Sequence, residues 1–180
     1  MSLEIVLGPM FSGKSTYALS YIRRQKAIGR QVLALKPNID TRYSLESLLV
    51  THNKESTHCV VWDISKPLTE LEYGEPDCII IEEAQFFRGL QQFVWNCLRS
   101  NKTIHILLVG LDGDANQTPF GEISQCIPLA SSIIKLNALC SQCKDGTEAP
   151  YTIKKSGSES QIDVGGADKY EAVCLKHLYS

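Results

Sequence analysis

The chain has 180 residues, 43% of them hydrophobic and 21% charged, which suits one folded domain with a small appendage. Its 18 basic and 20 acidic residues leave a net charge of −2. A protein that binds a nucleic-acid polymer needs a basic face, so we expect no such partner.

The apolar runs of the chain are too short for a membrane protein. None approaches the roughly 20 residues that span a bilayer, and the first residues lack the pattern of a secretory signal. We therefore expect no membrane partner and a location in the cytoplasm, which for a viral protein would be the host cytoplasm. In that reducing compartment the seven cysteines are expected to be thiols or metal ligands rather than disulfides.

Short apolar runs alternate with helical patterns over the first two thirds of the chain. The pattern predicts strands at residues 4–7, 31–36, 77–82 and 103–111, and helices at residues 14–28 and 89–100. Such alternation is typical of an α/β fold in which crossover helices connect the strands of a parallel sheet.

The composition changes after about residue 135, where the chain becomes polar and contains three clustered cysteines. This part has too few apolar residues to fold on a core of its own, so a bound metal is the expected staple. We predict two units, a nucleotide-binding α/β domain over residues 1–137 and a small metal-stapled domain over residues 138–180.

Residues 8–15 read GPMFSGKS and match the phosphate-loop pattern G-x-x-x-x-G-K-[ST], directly after a predicted strand and at the start of a predicted helix. In such a loop the glycines let backbone N–H groups point at phosphate oxygens, and the positive end of the helix adds to that field. We expect Lys14 to reach the β- and γ-phosphates of ATP and Ser15 to coordinate Mg²⁺.

Two carboxylates, Glu82 and Glu83, stand at the C-terminal end of a predicted buried strand. Ligands bind at this edge of an open parallel sheet, and the phosphate loop opens at the same edge. Since consecutive strand residues point to opposite sides, we expect Glu82 to hold the hydration shell of Mg²⁺ and Glu83 to take a proton from an acceptor hydroxyl. The same base could activate water, so these residues leave a kinase and an ATPase both open.

The cysteines near the C-terminus have the spacing of a metal site. Cys140 and Cys143 form C-x₂-C, and Cys174 and His177 form C-x₂-H. Three thiolates and one imidazole make a closed tetrahedral set suited to a structural Zn²⁺, the alternative being unligated thiols beside a surface histidine. The remaining cysteines are predicted to be small core residues: Cys59, Cys78, Cys97 and Cys126.

Six segments, in the same order, resemble motifs of the type II thymidine kinases, the cytosolic, bacterial and viral group. They are residues 8–15 (GPMFSGKS), 40–44 (DTRYS), 83–87 (EAQFF), 111–113 (LDG), 119–121 (PFG) and 165–170 (GGADKY). The likeness extends from Glu4 through Tyr179. Four residues depart from the usual family pattern: Glu82, Ala84, Ala115 and Asp163.

The resemblance implies a RecA-like parallel sheet with flanking helices, together with a small zinc-stapled domain whose lasso loop closes over the nucleoside. It implies transfer of the ATP γ-phosphate to the 5′-hydroxyl of thymidine, in nucleotide salvage for DNA synthesis, and leaves deoxyuridine open as a second substrate. It also implies a homotetramer that is inhibited by the end product dTTP. The alternative is a P-loop ATPase or switch whose zinc ribbon docks a protein or nucleic acid.

On this resemblance, Glu83 is the general base and Arg42 assists in phosphoryl transfer. The substrate pocket is assigned to Met10, Phe86, Leu111, Phe120, Thr152, Val164, Gly165 and Tyr170. The nucleotide and Mg²⁺ site is assigned to Gly8, Met10, Phe11, Ser12, Gly13, Lys14, Ser15, Thr16, Asp40 and Glu82.

Overall fold

The computed structural model describes residues 1–39, 48–50, 56–100, 103–156 and 160–179. Within them the strands are β1 (Ser2–Leu7), β2 (Val32–Pro37), β3 (Leu48–Val50), β4 (Ser56–His58), β5 (Val60–Trp62), β6 (Cys78–Glu82), β7 (His105–Gly110), β8 (Ser132–Lys135), β9 (Ala138–Leu139), β10 (Glu148–Ala149), β11 (Tyr151–Lys154) and β12 (Tyr170–Val173). The α-helices are α1 (Lys14–Ala27), α2 (Leu90–Arg99) and α3 (Leu175–Leu178). Short 3₁₀ helices lie at Leu68–Glu70, Ala84–Phe86 and Ile123–Leu129.

Six parallel strands form the central sheet, in the order β5-β2-β6-β7-β1-β8. This confirms the predicted α/β fold with a parallel sheet. Each predicted strand and helix of the sheet region is found within two residues of its expected ends. The two edge strands β5 and β8 were not predicted, because each is short and largely exposed and so lacks the apolar run of a buried strand.

The core lies on both faces of the sheet. The central strand β6 is buried along its whole length, and its alternate residues belong to two separate apolar clusters. Ile80 packs with Leu19 and Ile22 of α1, whereas Ile79 lies in the cluster that contains Phe93 of α2. Helices therefore cover both faces, which is why the interior strands are almost continuously apolar.

The chain after residue 137 forms short antiparallel pairs, β9 with β10 and β11 with β12. They enclose a small apolar cluster of Ala138, Cys140, Ala149, Ala172, Val173 and Cys174. Because two of its six members are cysteines of the predicted metal site, this cluster offers little apolar area of its own. The division into residues 1–137 and 138–180 stays a prediction.

The other cysteines are buried as expected: Cys59, Cys78, Cys97 and Cys126. Burial raises the pKa of the Cys126 thiol to about 12. In the part of the chain that the structure describes, no helix is both long and apolar enough to cross a membrane.

Candidate active site

The motif residues follow three neighbouring strands and therefore lie at one edge of the sheet. In the register of the sheet, Leu7 of β1 lies beside Gly110 of β7, and Glu82 of β6 lies beside Val109 of β7. The phosphate loop follows β1, Glu83 follows β6 and Leu111 follows β7. Three segments that are distant in the chain therefore begin at neighbouring positions, at the C-terminal edge where open parallel sheets bind ligands.

The phosphate loop is tightly wound between β1 and α1. A Cβ atom on Gly8 would lie 2.5 Å from the backbone oxygen of Leu136, so only glycine allows this close approach. The buried Lys14 ammonium donates to the backbone oxygen of Pro9 at 2.6 Å, and the Ser12 hydroxyl donates to the same oxygen at 2.8 Å. Lys14 also begins α1, so the positive end of that helix faces the loop.

The side chains of Ser15 and Glu82 are in contact next to the phosphate loop. The Ser15 hydroxyl donates a short hydrogen bond to Oε1 of Glu82, although 67 residues separate the two along the chain. The Glu82 side chain is buried. A hydroxyl and a carboxylate are hard oxygen ligands of the kind that Mg²⁺ prefers, so the donor set fits the expected ion.

Glu83 adopts a left-handed backbone conformation, with φ 52° and ψ 46°. Such a conformation costs a non-glycine residue about 1–2 kcal/mol, so the surrounding structure must enforce it. Glu83 lines the pocket described below, whereas Glu82 does not. The two neighbouring acids thus face different parts of the site.

The Gln85 side chain connects Glu83 to Leu111, the residue that follows β7. Its Nε2 donates to Oε2 of Glu83 at 2.6 Å, and its Oε1 accepts from the backbone N–H of Leu111 at 3.0 Å. A Cβ atom would lie 2.4 Å from Oε1 of Gln85 if placed on Gly110, and 2.0 Å from the Gln85 backbone oxygen if placed on Gly121. Sequence reasoning assigned no role to Gln85, because these close approaches are visible only in the folded structure.

A pocket of about 610 Å³ opens beside Glu83. Phe86 and Phe120 form one wall in an edge-to-face pair, with ring centroids 5.3 Å apart and planes at 82°. All eight residues assigned to the substrate pocket line it: Met10, Phe86, Leu111, Phe120, Thr152, Val164, Gly165 and Tyr170. The lining combines apolar and aromatic side chains with many polar and charged groups, which suits a flat ligand that is itself partly polar.

The C-terminal part of the chain forms a second wall of the pocket, here called the far wall, which includes Thr152, Val164 and Tyr170. Hydrogen bonds join this wall to the sheet region. The backbone N–H of Met10 donates to Oγ1 of Thr152 at 2.9 Å, and Gln117 donates to the Thr152 carbonyl at 3.0 Å. Gln161 donates to Oδ2 of Asp114 at 2.7 Å. Burial alone would raise the pKa of Asp114, but hydrogen bonds from Thr118, Gln161 and neighbouring backbone groups outweigh it and leave that pKa lowered.

The four predicted metal ligands come together. Their ligand atoms lie within 4.8 Å of one another, in the set Cys140, Cys143, Cys174 and His177. The Sγ atoms of Cys143 and Cys174 are 3.8 Å apart, and His177 Nδ1 is 3.4 Å from Cys140 Sγ. Tetrahedral zinc, with bonds of about 2.3 Å to sulfur and about 2.0–2.1 Å to nitrogen, would separate such atoms by about 3.8 and about 3.5 Å. The cluster therefore has the dimensions of a zinc site.

Three assigned residues remain, of which the structure describes only Thr16. Thr16 is exposed in the first turn of α1. Asp40 and Arg42 lie outside the described residues, so their assignments stay predictions.

Comparison with known proteins gives one consistent family. A sequence model described as thymidine kinase matches residues 1–178. Thymidine kinase a of Arabidopsis thaliana is 37% identical over 182 residues, covering 98% of this chain and 74% of the relative. The cytosolic thymidine kinase of Bos taurus is 38% identical, with 96% and 69% covered, and that of Homo sapiens is 37% identical, with 96% and 70% covered.

Proposed function

Because this chain belongs to the thymidine kinase family, we propose that it transfers the γ-phosphate of ATP to the 5′-hydroxyl of thymidine, in nucleotide salvage. One observation carries the proposal. Two consecutive acids link the phosphate loop to the pocket, since Glu82 contacts Ser15 and Glu83 lines the pocket. A phosphate donor and a neutral acceptor would therefore meet at Glu83.

The phosphate loop is the proposed binding site of the ATP phosphates. Lys14 would exchange its hydrogen bond to Pro9 for the β- and γ-phosphate oxygens, with the N-terminus of α1 behind them. Ser15 and Glu82 would hold Mg²⁺, directly or through water. When bound, Mg²⁺ neutralises charge on the β- and γ-phosphates.

Glu83 is the proposed general base. Its carboxylate would accept the proton of the 5′-hydroxyl as the oxygen attacks the γ-phosphorus. Gln85 donates to Oε2 of Glu83 at 2.6 Å, which orients the carboxylate. Arg42 is proposed to stabilise the transferring oxygens.

The proposed thymidine site is the pocket between Phe86, Phe120 and the far wall. The aromatic pair would contact the faces of the base, and backbone groups near Val164 and Gly165 would bind the edge of the pyrimidine. Exclusion of water by such a site favours transfer to the nucleoside over hydrolysis.

We propose a structural zinc ion at Cys140, Cys143, Cys174 and His177. Because all four ligands come from the protein, no position remains for a substrate or reactive water. The ion would hold α3 and the 140–143 turn together beneath β11 and β12, which carry pocket residues. Zinc would therefore support nucleoside binding without taking part in the reaction.

Further properties rest on the family resemblance alone. We propose a homotetramer, inhibition by dTTP and action in the cytosol, the compartment named for the relatives from Bos taurus and Homo sapiens. Light scattering on the purified protein would test the assembly, and inhibition by dTTP in the assay below would test the regulation.

The function is tested by ADP release from Mg·ATP with thymidine, deoxyuridine, deoxycytidine, deoxyadenosine or no acceptor. We expect strong stimulation by thymidine, with thymidine monophosphate as the product. Hydrolysis that is equally fast without a nucleoside would instead mean that Glu83 activates water, as in an ATPase.

A further inference from the structure

The segment of residues 160–165 contributes to the lining of the pocket and contains one acid, Asp163. Asp163 lies in the loop that joins β11 to β12, and both Asp163 and the following Val164 line the pocket. A carboxylate at the wall of a pocket for a neutral nucleoside costs free energy, because the charged group loses hydration there. Other charged or polar groups must therefore compensate for that loss.

Two lysines from the hairpin surround this carboxylate. Lys154, the last residue of β11, places its ammonium 2.8 Å from Oδ2 of Asp163. Lys169, immediately before β12, places its ammonium 2.5 Å from Oδ1. Asp163 thus ties the middle of the loop to both strands from which the loop emerges.

The ion pairs are better shielded than ordinary surface pairs. The side chains of Asp163, Lys154 and Lys169 are 10%, 19% and 32% exposed. Exposed pairs contribute little because water and salt screen them, whereas partly buried pairs that share one carboxylate are screened less. Hydrogen bonding to Asp163 also raises the pKa of Lys169.

The same groups fix the backbone that faces the pocket. Lys169 donates to the carbonyl of Val164 at 3.0 Å, and the Tyr170 hydroxyl donates to the carbonyl of Asp163 at 2.5 Å. The Lys154 ammonium lies 5.7 Å from the centroid of the Tyr170 ring. Movement of Asp163 would therefore disturb two successive peptide groups and one aromatic wall of the pocket.

We propose that Asp163 is a positioning residue for nucleoside binding, which holds residues 160–165 against the pocket through Lys154 and Lys169. The inference rests on the proposed nucleoside kinase function and adds a determinant of its substrate affinity. Asp163 neither contacts the phosphates nor takes part in transfer, so its loss affects the binding of the nucleoside and spares the chemical step.

The test measures kcat and both KM values for Asp163→Asn, which keeps the size of the side chain and removes its charge. We expect the KM for thymidine to rise about tenfold, which corresponds to the loss of one hydrogen bond between charged groups. The kcat and the KM for ATP should stay within about twofold of the wild type. Asp163→Glu should recover part of the affinity, because it restores the charge.

Two further variants provide the controls. Glu148→Gln removes an exposed carboxylate from β10, outside the pocket lining, and should leave all three constants unchanged. Lys169→Met should also raise the KM for thymidine. Combined with Asp163→Asn, its effect should be clearly smaller than the product of the two single effects, since the changes share the Lys169–Asp163 pair, whereas independent effects would multiply.

A KM for thymidine within about twofold of the wild type in Asp163→Asn would overturn the inference, as would equal losses in kcat and ATP binding. Multiplicative effects in the double variant would overturn it as well. If Asp163→Asn does not fold, Lys169→Met carries the same test, with zinc content and circular dichroism as checks. A wild-type protein without thymidine-dependent ADP release would refute the proposed function itself.

Discussion

Replacement of Gly121 by alanine tests whether close packing around Gln85 holds the proposed base in place. Gly121 has φ +60°, and a Cβ atom there would lie 2.0 Å from the Gln85 backbone oxygen and 2.9 Å from its carbonyl carbon. Backbone atoms cannot rotate aside as a flexible side chain can, so one of the two segments must shift. That shift would move the Gln85 amide away from Glu83.

Gly74 offers a matched control. Its φ of +64° is almost the same as that of Gly121, but a Cβ atom there would meet no atom within 4 Å. Both alanine variants carry the left-handed backbone strain of about 1–2 kcal/mol. Only Gly121→Ala adds overpacking, of about 1–3 kcal/mol, for a total of about 2–5 kcal/mol.

At about 2–4 °C per kcal/mol for a chain of this size, the Tm should fall by about 2–8 °C in Gly74→Ala and by about 4–20 °C in Gly121→Ala. A displacement of about 1 Å at the base can lower the rate about 100-fold, so kcat should fall to that extent in Gly121→Ala. In Gly74→Ala, we expect kcat to stay within about twofold of the wild type, because the strain lies away from the site.

The assay is thymidine-dependent ADP release at a temperature below both melting transitions, beside thermal unfolding of each variant. A kcat for Gly121→Ala within about threefold of Gly74→Ala, despite the larger loss of stability, would refute the role assigned to Gln85. If Gly121→Ala does not fold, Gln85→Met tests the same role by removing the amide that donates to Glu83.

Three further predictions follow from the site and the core. Glu83→Gln should abolish phosphorylation of thymidine while ATP binding persists, since the amide cannot accept the proton; near-normal turnover would show that another group is the base. Metal analysis should find about one zinc per chain, and Cys143→Ser should lower zinc content, stability and thymidine affinity. A metal-free protein that stays folded and active would exclude a structural zinc. Glu122 accepts from the backbone N–H groups of Gly89 and Gln91 at the start of α2, at 2.8 and 3.1 Å. Glu122→Ala should therefore cost about 1–2 kcal/mol in thermal unfolding with an unchanged kcat, and an unchanged Tm would show that the cap contributes nothing.

The sequence by itself determined the local chemistry of this protein. The phosphate loop, the paired acids at a strand end and the two short ligand pairs were all readable before the fold was known. Each depends on a few neighbouring residues, whose spacing along the backbone already sets the geometry. The interior strands were equally visible, because burial on both faces of the sheet demands a continuous apolar run.

Only the tertiary structure decided how distant segments meet. Met10 and Thr152 are 142 residues apart, and no local pattern predicts the hydrogen bond that closes the pocket between them. The contact of Gln85 with Gly121 and the ion pairs of Asp163 are likewise products of packing. Long-range contacts of this kind arise from many small energies summed over the whole core, whereas a motif is specified by the short stretch of backbone that contains it.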